Sequence, residues 1–297
     1  MRARSNAIIA ATLSLLFPPF GFVCGGIIGL ATLKHGLTEG ILITAPAMAL
    51  AGIIVWFTLD TTAPVMAFAI MTGLPVLVLA ATLRSTRSLA TTITVAGLLG
   101  VIAIIGLHMV VDDPLAWWRN RLYEILVEQP LNQTSAIGAE ITDNMEALLD
   151  TLAPMMSVLP AGVVFGSVLT LLLARWWHAV LDNPGGVGRE FRSLRFDRRL
   201  AIAAAVIAGT VIFAGQTIGI SNEFLQIFIV LYLFQGLAVI HGMVIAREAS
   251  TGWLVSLYVL LLLVPAIVTN LLVITGFVDT WFDFRERAAN RQRPRNL

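Results

Sequence analysis

Eight apolar runs follow one another along the chain, at residues 7–33, 40–59, 64–83, 89–111, 152–174, 200–219, 222–246 and 252–278. A helix needs about 20 mostly apolar residues to cross the hydrocarbon core of a bilayer, and each run is long enough. Lipid offers no partner to an exposed peptide group, so a spanning segment satisfies its own backbone as a helix or closes into a barrel. None of these runs alternates as barrel strands do. The expected fold class is an all-α polytopic membrane protein, a bundle of about eight or nine transmembrane helices. Composition agrees: 12% of residues are charged and 58% hydrophobic, about half the charge of an ordinary soluble domain.

Two runs, 7–33 and 252–278, are too long for a simple span and carry proline near the middle, Pro18-Pro19 and Pro265. A proline inside a helix costs about 3 kcal/mol, so FPPFG is expected to split the first run into a short hairpin of residues 4–17 and 19–33. Membrane helices tolerate a single proline as a kink, which leaves 252–278 readable as one crossing or as a second hairpin. Met1-Arg-Ala-Arg ahead of an apolar run is signal-like, yet no small-x-small cleavage site follows. The first segment is therefore expected to be retained.

Loop charge sets the orientation. Residues 112–150 hold eight acids and two arginines, whereas residues 175–199 hold six arginines and three acids. The basic loop is expected in the cytoplasm and the acidic insert outside. That arrangement puts Lys34, Arg84, Arg87 and Arg247 inside and Asp60 outside. Arg2 and Arg4 join the inner side only through the proline hairpin, and the side of the Arg-rich tail (284–297) stays open. The whole chain, 1–297, reads as one integral membrane domain. Within the insert, Trp118, Leu122, Ile125 and Leu126 form one apolar face, and Ile141, Met145, Leu148, Leu149 and Leu152 another. These are expected to be two amphipathic helices that lie on the outer membrane face or cap the bundle, divided by a linker at 130–138.

The basic loop also supplies the candidate site. Arg175, Trp176 and Trp177 end a span and lead into Asn183-Pro184-Gly185-Gly186, with Arg192 behind. Tryptophan and arginine at a helix end suit an interfacial belt. Glycines in the turn permit close backbone approach to a ligand, and arginines suit a phosphate or a partner's carboxylates. The loop lacks the Lys-Ser/Thr ending of a nucleotide P-loop. Residues 189–199 form a basic amphipathic stretch suited to anionic lipid. Polar residues within the spans, His108, Gln216, Glu223, Gln226, Gln235, His241 and Asn270, are functional candidates. His108 and Glu223 lie near predicted span ends and read as solvated, while Gln235 and His241, six apart, fall on different helix faces. The sets Gly25-Gly26-Gly29 and Gly97-Gly100 suit close helix packing. Asp279 and Asp283 among neighbouring arginines read as a salt-bridged helix end. Cys24 is the single cysteine, which excludes an intrachain disulfide and a multi-cysteine metal site. No catalytic constellation is present, so no enzyme and no cofactor is expected. A net charge of +1 gives no case for nucleic acid.

Five stretches, FPPFGF (17–22), LKHGLTEG (33–40), ARWWHAVLDNPGGVGREFRSLR (174–195), FQGLAVIHG (234–242) and GFVDTWFDFRER (276–287), resemble the YybS-like family of bacterial membrane proteins. That family is in turn distantly similar to the substrate-binding S components of energy-coupling-factor transporters. The resemblance implies a multi-pass protein of the bacterial inner membrane that binds a small molecule within its helices, with a cytoplasmic partner protein or ATPase module. The alternative is a non-transporting scaffold that docks cytoplasmic partners or anionic lipid through the basic loop 175–199 and the Arg-rich tail, tested by charge reversal at three arginines, Arg192, Arg195 and Arg198.

Overall fold

The computed structural model describes residues 2–128, 145–182, 185–215 and 219–287, and among them the chain is helical without strands. Helix α1 (Arg2–Leu16) stops where Pro18 and Pro19 withhold their backbone donors, and a single 3₁₀ turn, Pro18–Phe20, reverses the chain into α2 (Gly21–His35). Gly36, at φ 101°, turns it again into α3 (Leu37–Leu59), a conformation that a side chain would strain. Arg4 on α1 forms an ion pair with Glu39 in the first turn of α3. The start of α1 therefore lies beside the α2–α3 turn, and the pair is a hairpin.

After Asp60 the chain returns as α4 (Ala63–Phe68), a π-helical turn (Ala69–Gly73) and α5 (Leu74–Thr86). Helix α6 (Leu89–Val110) begins on Ser88, whose hydroxyl caps the Thr91 amide at 3.2 Å. Helix α7 (Pro114–Tyr123) starts on Asp113, which accepts from the Ala116 amide at 3.0 Å, and runs into a second π-helical turn, Glu124–Glu128. Helix α8 (Met145–Met155) packs on α7, and Arg119 joins them through Glu146 and Asp150. The two helices lie together at one end of the bundle; Ile141 and the linker 130–138 lie outside the described residues. The remaining helices are α9 (Leu159–Asp182), α10 (Gly186–Arg192), α11 (Arg198–Ala214), α12 (Ile220–Ala246), α13 (Gly252–Leu263) and α14 (Pro265–Phe282).

Two ends of the bundle can be told apart by their contacts. At one, Arg84 donates to the carbonyls of Leu33 and Lys34 (2.6 and 2.8 Å), and Arg175 pairs with Glu190. Arg195 pairs there with Asp283, and Arg285 donates to the Arg192 and Leu194 carbonyls (2.6 and 2.9 Å). This is the basic face. At the other end His108, near the end of α6, meets Glu223 at the start of α12, beneath α7 and α8. Helix α13 leaves the basic face after α12, and Tyr258 on it meets His241 at 3.3 Å. The break at Val264 and Pro265 sends α14 back, so that Arg285 packs against Gly242 near the end of α12. Residues 252–282 are thus a second proline-broken hairpin, opening on the same face as the first.

Among the described residues six helices are long and apolar enough to cross a membrane: Leu37–Leu59, Ala63–Thr86, Leu89–Val110, Met145–Leu181, Ile220–Ala246 and Pro265–Phe282. The expected eight or nine is not reached, because prolines cut the two long runs into shorter pieces and α11 is described for only 17 residues. The main core lies between α5, α6, α9, α11 and α12, with Leu79, Ile93, Val168 and Leu171 wholly buried; Cys24 and Ile28 centre a smaller one with α1 and α3. Gly25, Gly26 and Gly29 seat α2 on Thr170, Trp177 and Ala174 of α9, and Gly97 and Gly100 seat α6 against Leu231 and Ile227 of α12. Small residues allow this approach where lipid provides no hydrophobic drive between helices. Outward, Phe57, Phe213 and Leu262 are more than four-fifths exposed, as lipid-facing side chains are.

The two-hairpin arrangement has a direct test. In a Cys24→Ala background, Ser85→Cys, Ser193→Cys and Glu286→Cys are expected to react with an impermeant maleimide from one side of the membrane, and Asp60→Cys from the other. Labelling of Glu286→Cys together with Asp60→Cys would mean that residues 252–282 cross once.

Candidate functional site

A cavity of ≈ 470 Å³ opens between the α4–α5 segment, α6 and α9, at the end of the bundle capped by α7. A break in the helix lies along one wall. Pro75 has no N–H to give the Met71 carbonyl, four residues back, and the helix widens into the π turn Ala69–Gly73. Ser167 of α9 points its hydroxyl at that carbonyl, at 3.5 Å. The widened turn, Gly100 of α6, Pro160 of α9, Met156 and Trp118 of α7 all line the cavity.

The wall is apolar, built from Leu79, Ala96, Leu99, Leu107, Val163 and Val164, with Ser157, Ser167 and Glu223 as its polar groups. Ile70, Leu74, Ile102 and Ala103 line it too and are themselves exposed on the sides of α5 and α6. The cavity is therefore open sideways, toward the acyl chains, and not only toward water. Glu223 is 5% exposed. Both its carboxylate oxygens lie 3.3 Å from His108 Nε2, so the solvated positions expected for this pair are corrected: Glu223 is buried and partnered. A buried carboxylate in an apolar wall is a strong acceptor for a donor or cation that enters, because little water competes for it.

The residues singled out in the basic loop gather elsewhere. Arg175 is held by Glu190 and has Nη1 3.2 Å from His178 Nδ1. Trp176 is exposed, whereas Trp177 packs against Gly26. Gly185, at φ 83°, and Gly186 start α10, and the Arg192 carbonyl accepts from Arg285. Asn183, Pro184 and Gln216 lie outside the described residues. Gln235 is wholly buried: it accepts from the Phe196 amide (2.9 Å) and donates to the Gly276 carbonyl (2.8 Å) and Thr280 (3.1 Å). His241 packs between Phe191 and Tyr258, with Nδ1 2.8 Å from the Leu237 carbonyl. Gln235 and His241 thus tie the loop to α12, on different sides of it. Arg195 is taken up by Asp283, and Arg198 stacks on Trp281 at 5.9 Å. Two of the three arginines of the docking alternative are thereby engaged inside the molecule. Among the described residues no three His, Cys, Asp or Glu side chains converge as a metal site.

A helical, multi-pass chain with its cations gathered at one end matches a family of predicted membrane proteins, DUF2232, across residues 6–280. The chain belongs to this family. Neither a curated protein nor a solved structure matches it. As a DUF2232 protein it is a multi-pass membrane protein surrounded by lipid. The match includes the π turn, Ser167, His108 and Glu223, so the whole cavity of this DUF2232 protein lies within the family region. Sequence reasoning singled out His108 and Glu223 as polar residues near span ends but not the space beside them; Gly73 and Pro75, in the middle of the run 64–83, were the signal.

Proposed function

We propose that the protein is a non-catalytic, membrane-embedded binding protein, S-component-like in outline. Its cavity receives an apolar small molecule bearing one cationic or hydrogen-bond-donating group. The observation that carries this reading is the pairing of an apolar, laterally open cavity with the buried carboxylate of Glu223. Lipid-soluble molecules reach such a cavity from the bilayer, their carbon skeleton meeting apolar walls while Glu223 orients the polar end. A bacterial inner membrane, basic face inward, is the setting that fits the positive-inside rule. A cytoplasmic partner protein or ATPase module that takes the ligand onward belongs to this proposal as well.

The test is a thermal-shift panel on the purified protein, in which lipophilic amines are compared with the alcohols and acids of the same skeleton. Amines are expected to raise the unfolding midpoint most, since a ligand at 100 times its Kd adds about 2.7 kcal/mol of stability. Glu223→Gln is expected to weaken the amine about tenfold or more, as loss of a charged hydrogen bond does, and to leave the alcohol nearly unchanged. Ala103→Trp, at the rim, is expected to weaken all three. Equal response of wild type and both variants to every compound would overturn the reading.

A further inference from the structure

We propose that a second cavity, on the basic face, is a binding site for a phosphate-bearing anion, independent of the apolar cavity at the other end. This cleft has a volume of ≈ 510 Å³ and lies where α2, α5, α9 and α10 meet. Lys34, Arg84, Arg87, Arg175 and His178 line it, and Glu190 is the one carboxylate among its described lining residues. Arg84 and Arg87 bring permanent positive charge to this concave surface. Glu190 is committed to Arg175, its two oxygens taking Nε (3.0 Å) and Nη2 of that guanidinium. No carboxylate among the described residues pairs with Arg84 or Arg87.

The cations are positioned rather than scattered. Arg84 is fixed by the last carbonyls of α2, at 2.6 and 2.8 Å, so its charge stays at the cleft without being neutralised. Arg87 ends α5 in the left-handed region, φ 54°, which holds the next turn and its own backbone beside Arg84. Guanidinium groups at fixed positions suit phosphate oxygens, which accept two N–H bonds at once. A basic pocket between helices at the membrane surface suits the head group of an anionic phospholipid equally well. The chemistry common to both sources is the phosphate group.

Two arms separate them, both on the full chain. In detergent, inorganic phosphate and pyrophosphate are titrated against sodium chloride at matched ionic strength while the unfolding midpoint is followed. In nanodiscs of phosphatidylcholine with or without phosphatidylglycerol, native mass spectrometry counts retained lipid. Stabilisation by the inorganic anions supports a soluble phosphate ligand, and selective retention of phosphatidylglycerol supports the head group. In either case Arg87→Asn combined with Lys34→Gln is expected to weaken binding at least tenfold. Asparagine accommodates the left-handed backbone at 87, and Lys34→Gln alone serves should the double variant not fold. Arg247→Gln, exposed and outside the cleft, is expected to change nothing. Binding no better than chloride in both arms, or an equal loss in Arg247→Gln, would overturn the proposal.

Discussion

Gly236→Val is expected to leave no monodisperse folded protein in detergent. Gly236 on α12 and Gly276 on α14 let two backbones touch: a Cβ at 236 would overlap the Leu272 carbonyl oxygen, and one at 276 the Tyr232 carbonyl oxygen. No rotamer relieves a collision with main chain, so the helices must part. Parting them strips Gln235 of its bonds to Gly276 and Thr280 and leaves a buried amide unsatisfied. Overpacking alone costs about 1–3 kcal/mol, and a buried unsatisfied polar group adds about 1–3 more. Size-exclusion profiles and unfolding midpoints check this, with Gly236→Ala intermediate. Gly209→Ala, where a Cβ meets nothing within 4 Å, is expected to behave as wild type. A normal midpoint for Gly236→Val would mean that α12 and α14 do not pack as described.

Asp279→Ala is expected to be nearly as damaging, for an electrostatic reason. Asp279 is wholly buried, accepting from Arg285 Nη2 at 2.8 Å and from the Phe284 amide at 2.9 Å. Arg285 in turn holds the carbonyls of Arg192 and Leu194. Removing the carboxylate leaves a mostly buried guanidinium without its counter-charge, a loss of about 3–5 kcal/mol when one partner of a buried pair is deleted. Asp279→Asn keeps an acceptor for Phe284 and is expected to lie between. The discriminating measurement is a double-mutant cycle with Arg285→Ala: the double variant is expected to be less destabilised than the sum of the two single changes. Strict additivity would deny the coupling.

Most of the helical architecture was legible in the chain because lipid imposes it. Length and apolarity marked the runs, FPPFG marked the first reversal, and the glycines of α2 and α6 marked close packing. The Asp279–Asp283 cluster read correctly as a salt-bridged helix end. The count of spans was less legible, since a lone Pro265 looks the same whether it kinks a helix or reverses it. Contacts far apart in sequence, such as Arg285 with Gly242 and Arg195 with Asp283, distinguish the two. Glu223 looked solvated because distance along the sequence to a span end says nothing of what packs at that end; there it meets His108 and forms part of the wall of a cavity that Trp118 also lines. The apolar cavity was not read, because Pro75 marks a break in one helix but not which other helices come to line the space beside it. Gly236 was passed over for the same reason: a glycine flanked by bulky residues reveals its purpose only when Gly276 arrives from the other hairpin.

The two proline-broken hairpins bear on how the chain enters the membrane during its synthesis. A hairpin inserts as a closed unit, with both of its polar ends left on the side from which it came. Arg4 and Lys34 flank the first, Arg247 and Arg285 the second. Carrying one arginine to the middle of the bilayer costs about 2.5–3.5 kcal/mol on the insertion scale, and neither hairpin demands it. Both can therefore be laid down without translocating a charge, and Gly236 with Gly276 then locks the second against helices already in place.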